Sequence, residues 1–154
     1  MKKVIILLIV VVILATSYWL VSPLWIVKKV NEPLPEAKKT TQITTVNDSA
    51  HNSVLLSGTF VNGSHNVSGV AKVLKVNNDE IIRFENFKTV NGPDLYIYLS
   101  TDNSAKDFIN LGAIKGTEGE INYSIPQGTD LNKYNHVLVW CKTFSVLFGS
   151  ATLK

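Results

Sequence analysis

Few side chains in this 154-residue chain could carry redox, nucleophilic or metal chemistry: one cysteine, Cys141, and three histidines, His51, His65 and His136. A single thiol has no internal disulfide partner. Cys141 is therefore either a small buried hydrophobe or a thiol that cycles through sulfenic acid or a mixed disulfide with another protein. The second role needs solvent access and a neighbour that lowers the thiol pKa, such as a cation, a helix N-terminus or a metal. Lys142 is adjacent in sequence, but in a regular strand it points to the opposite face.

Metal binding has no local signature, because there is no Cys-x-x-Cys and no closely spaced His pair. His136 and Cys141, five residues apart, fall on opposite faces of a strand. His65 is better placed, in the loop sequence "NGSHNVSG", from which it could fold toward Cys141 together with Asp94. His65, Asp94 and Cys141 are thus the candidate metal ligands, and Cys141 is the candidate redox residue. The alternative is that His65 is a polar loop residue and that Asp94 caps a turn in "NGPD". No cofactor is assigned. A haem would have only His65 or His136 as a protein ligand, since the sole methionine is Met1. Tyr96, Tyr98, Tyr123 and Tyr134 could form a sugar-binding aromatic face, although aromatics on sheets usually serve packing. Nucleophile elbows, phosphate-binding glycine loops and paired-carboxylate signatures are absent from the sequence.

The elements that must position these residues read as strands. From Ser53 onward, short apolar or alternating runs are separated by Asn, Gly, Asp and Pro clusters: residues 53–61, 67–76, 80–87, 94–100, 120–125, 136–141 and 146–153. Such spacing predicts an all-β antiparallel sandwich or barrel-like domain. Only residues 104–114 read as a helical turn. In "HVLVWC", parity puts Val137, Val139 and Cys141 on one side, with His136, Leu138 and Trp140 on the other. A strand apolar on both faces is expected to be central, with Cys141 at its buried end.

Ahead of the domain, residues 4–20 carry no charge and apolar residues resume up to Val27, close to the roughly 20 residues that cross a bilayer. Tyr18, Trp19 and Trp25 suit its interfacial end. The alternative is a cleaved signal peptide, with Lys2-Lys3 and the small residues Ala15-Thr16-Ser17. The expected organisation is a transmembrane anchor over 1–27, a flexible linker over 28–52 and a sandwich over 53–154. A coil of that linker's length would hold the domain roughly 25 to 30 Å off the membrane. This predicts a single-pass protein of the cell membrane with its C-terminal domain extracytoplasmic and lipid as its first partner. Four sequons, at Asn47, Asn62, Asn66 and Asn122, agree weakly with export. The formal charge of +3 arises entirely before residue 53, because residues 53–154 balance nine basic against nine acidic side chains. A neutral domain lacks the footprint for nucleic acid.

Taken in order, Gly58-Thr59-Phe60, His65, Gly69-Val70-Ala71, Phe84 and Phe87, "GPDLYIYLS", Leu111-Gly112, Gly119, Tyr123 and "VLVWCKTFSVLFGSATL" resemble the electron transfer DM thirteen domain family. That family is a β-sandwich module found alone behind an anchor in microbes and beside DOMON domains in animal proteins such as Skeletor and Knickkopf. The resemblance implies that Cys141 is the family's characteristic cysteine, for which a redox role is proposed, and that any electron donor or acceptor is a separate protein. The rival expectation is a non-catalytic cell-surface module for a carbohydrate or protein ligand.

Overall fold

The structure, a computed structural model, describes residues 2–21, 27–35 and 53–154. One helix and ten strands are described: α1 (Lys2–Val21), β1 (Lys29–Asn31), β2 (Ser53–Thr59), β3 (Val61–Asn62), β4 (Val67–Val76), β5 (Asp79–Thr89), β6 (Leu95–Ser100), β7 (Phe108–Ala113), β8 (Glu118–Ile125), β9 (His136–Cys141) and β10 (Val146–Thr152). The strands form two five-stranded sheets, ordered β1-β8-β5-β4-β2 and β3-β10-β9-β6-β7. Every pairing is antiparallel except β1 with β8. The sandwich expected from strand spacing is therefore the fold.

Alternation builds the core. Ile82, Phe84 and Phe87 of β5, Ile121 and Tyr123 of β8, Ile97 and Leu99 of β6, and Val137 and Val139 of β9 all project between the sheets and are buried. Phe84 sits at the centre of an aromatic group, with ring centroids 5.0 Å from Phe60, 5.0 Å from Phe87 and 5.4 Å from Tyr123. Such offset and edge contacts suit the ring quadrupole. β9 is third of five in its sheet, as expected of a run apolar on both faces.

Three expectations need correction. Residues 53–61 are not one strand: β2 lies in the first sheet and β3 in the second, and Phe60 crosses between them with its N–H donating to Gly69 O at 3.0 Å. The turn-to-strand reading of 104–114 replaces the expected helical turn. Here β7 pairs with β6, bulging where Ile97 faces Gly112 and Tyr98 faces Asn110, and Gly112 takes φ +114°, which favours glycine. Strand formation wins because Ile109 and Leu111 pack on the core and Phe108 stacks on Tyr98 at 4.1 Å.

The third concerns the expected linker, whose first residues are folded. β1 runs parallel to β8 with Lys29, Val30 and Asn31 opposite Glu118, Gly119 and Glu120, so residues 28–35 form a strap along the sheet edge rather than a solvated coil. Residues 36–52, and with them His51 and the Asn47 sequon, lie outside the described residues. Of the anchor expected over 1–27, the structure describes residues 2–21 and Val27. α1 covers Lys2–Val21, and among the described residues no helix is long and apolar enough to cross a membrane.

Candidate functional site

Cys141 is the last residue of β9, facing Leu95 of β6 on one side and Val146 of β10 on the other. Its side chain follows Val137 and Val139 into the core and is 1% exposed. The thiol donates to the Pro93 carbonyl, Sγ to O at 3.0 Å. Lys142 points to the other face, its Nζ 5.3 Å from the Tyr96 ring centre, and so gives the thiol no adjacent cation.

The cover over the thiol is the turn between β5 and β6. Gly92 lies flat against Phe148, where a Cβ would come 2.7 Å from Cζ, and Pro93 follows directly. Asp94 adopts φ 59°, a left-handed conformation that Asp tolerates better than most residues. It is held from both ends. Lys142 N donates to its carbonyl at 3.1 Å, and Thr143 Oγ1 donates to its Oδ2 at 3.2 Å. The turn is thus stitched to the β9–β10 hairpin, and Pro93 is fixed above Sγ.

His65 is exposed and rests on Phe148, ring centroids 4.0 Å apart, with its N–H donating to Phe148 O at 3.2 Å. Phe148 therefore stands between His65 and the Gly92-Pro93 cover of Cys141. The three expected metal ligands share one end of the sandwich but are not gathered: the Asp94 carboxylate is turned to Thr143, and the thiol to Pro93. Among the described residues no group of three or more His, Cys, Asp or Glu could hold a metal ion. His136 lies at the opposite end, paired with Ser100 and Thr152, and its buried Nδ1 has no hydrogen-bond partner.

The four tyrosines are dispersed. Tyr123 is inside the core, where its hydroxyl accepts from Lys115 N at 3.0 Å and burial pushes its pKa up to about 12. Tyr134 donates to Asp107 Oδ1 at 2.9 Å. Only Tyr96 and Tyr98 share the outer face of their sheet, and burial, followed by the neighbouring Tyr96 and Asp94, raises the Tyr98 pKa.

Sequence reasoning missed Arg83. Lying in β5 between core residues, it is 6% exposed, and the strap covers it. Nη2 meets Glu120 Oε2 at 2.9 Å, and Nη1 donates to Asn122 Oδ1 at 3.0 Å and to Glu32 O at 3.1 Å. Nε faces Glu85 Oε1 at 3.5 Å without hydrogen-bond geometry. A basic residue inside "EIIRFENF" was the available signal, since an outward cation flanked by core positions needs partners.

The family model described as Electron transfer DM13 matches residues 59–153, which is nearly the whole sandwich including the cover, the hairpin and Cys141. No curated protein and no solved structure matches the chain. On that match the chain belongs to the Electron transfer DM13 family, a redox-related module.

Proposed function

We propose that this protein is an extracytoplasmic redox module, held at the cell membrane by α1 and acting through Cys141 on a separate redox protein. The observation that carries the reading is the position of the thiol: the single cysteine of an electron-transfer family domain ends the central strand beneath one turn, with Pro93 O as its immediate cover. Displacing that turn frees the sulfur. The thiolate then attacks a protein disulfide, forming a mixed disulfide and releasing one partner thiolate, and a second partner thiol resolves it.

Anchoring is supported by the sequence between Val4 and Val27, which has no charge. Aliphatic side chains from Ile6 to Leu14 are 46% to 64% exposed on all sides of α1, a surface that water does not favour. A second reading, a non-catalytic surface module binding a carbohydrate or protein, is favoured by the 1% exposure of Cys141.

Titration of the full chain with a thiol reagent across pH separates the two. Labelling of folded protein that speeds up as pH rises supports the redox reading. Labelling only after unfolding removes it and leaves the binding module.

A further inference from the structure

We propose that the end of the sandwich carrying Cys141 is a lipid-facing surface that rests on the anionic bilayer holding α1; this builds on the anchor reading above. The topology puts the chain's entry and the thiol at one end. Thr117 N donates to Lys28 O at 2.8 Å, Thr89 N to Thr117 O at 2.9 Å, Ile114 N to Leu95 O at 2.8 Å and Lys142 N to Asp94 O at 3.1 Å. These bonds link the strap's first residue, the β7–β8 turn, the β5–β6 turn and the β9–β10 hairpin into one rim. The β4–β5 turn at Asn77 and Asn78 lies at the other end.

Chain length makes the rim proximal to the helix. Because Lys28 is already docked on Thr117, the seven steps from Val21 to Lys28 can cover no more than roughly 25 Å even when fully extended. The far end of the sandwich is a further strand length away. Without the strap, the free chain would reach from Val21 to Ser53 and either end could face the helix.

The rim's composition fits that neighbour. Phe144, at the hairpin tip, is 66% exposed, Val27 64% and Val90 43%, and Lys28, Lys29 and Lys142 are exposed among them. Apolar tips with flanking lysines suit a headgroup layer, where the ring and aliphatic groups enter and the ammonium groups meet phosphate. Asp94 and Glu118 are the opposing charges on this rim: the Asp94 carboxylate accepts a hydrogen bond from Thr143, and Glu118 stands opposite Lys29 in the β1–β8 pairing. Any partner reaching Cys141 from this end does so at the bilayer surface.

The test uses the full chain in vesicles of phosphatidylcholine and phosphatidylglycerol. Nitroxide is attached at Phe144→Cys, at Val90→Cys and, at the opposite end, at Asn78→Cys, and label taken up by the wild-type chain is subtracted. Collision with oxygen is compared with collision with a water-soluble nickel chelate, after each variant's thermal transition has shown that it folds. The expected result is an oxygen-to-nickel ratio several-fold higher at positions 144 and 90 than at 78. If the wild-type chain floats with vesicles while all three sites show the same low ratio, the lipid-facing rim is overturned and the anchor stands. If the wild-type chain does not float, the anchor and the rim both fall. Should Phe144→Cys fail to fold, Val90→Cys gives the same decision.

Discussion

At the scale of single residues, the cover over Cys141 depends on Asp94. Its left-handed backbone and its bond to Thr143 make two demands that few side chains meet together. Asp94→Ala forfeits the bond and strains the backbone, at a cost of about 1–2 kcal/mol. Asp94→Asn keeps both features and should cost less. Denaturant midpoints check the order, and Cys141 labelling should speed up most in the alanine variant. Tyr123 gives a pH prediction. With its folded pKa at about 12 against about 10 unfolded, the unfolded chain releases the proton first. Stability is therefore complete below pH 10 and falls as pH rises from about 10 to about 12, by about 2–3 kcal/mol at most. In Tyr123→Phe that alkaline loss should flatten in a pH series of urea melts, although the variant starts lower by about 1 kcal/mol for the lost acceptor of Lys115 N.

Among the elements, the strap is the least legible from sequence and the most consequential. "KKVNEPLPE" has one residue, Val30, that packs on the core, so hydrophobic patterning has nothing to detect. What docks it is non-local. Glu32 N donates to Glu120 O at 2.9 Å, Asn122 N donates to Glu32 Oε2 at 2.6 Å, and Lys115 Nζ pairs with Glu32 Oε1 at 3.1 Å. β7 was hidden for a related reason, since its strand character comes from its partner β6 and not from its own composition. By contrast, the inward set Val137, Val139 and Cys141 was legible because strand parity is local. Gly119 tests the strap. It holds φ +116°, and a Cβ there would meet the Val30 carbonyl and come 2.6 Å from Asn31 Oδ1. Gly119→Ala should expel β1, uncover Arg83 and cost about 2–4 kcal/mol. Limited proteolysis should then cut within residues 27–35, which remain protected in the wild-type chain.

For the whole molecule, the sandwich was legible because turn signals recur between short apolar runs, whereas the site was legible only as a neighbourhood. Parity located Cys141, but no sequence rule tells that Phe148 separates His65 from the thiol's cover or that Asp94 turns to Thr143. The same division applies to the N-terminus. The sheets bury their apolar faces against each other, and the exposed stretch from Ile6 to Leu14 would drive aggregation in water. If α1 serves as the proposed anchor, its removal must change partitioning without changing the sandwich, because the strap begins only at Lys28. A chain lacking residues 2–21 should leave the membrane fraction on alkaline carbonate washing and melt at the same temperature as the detergent-solubilised full chain. Carbonate-resistant retention of the shortened chain would instead place the membrane attachment in the sandwich itself, with Phe144 and Val90 the first residues to substitute.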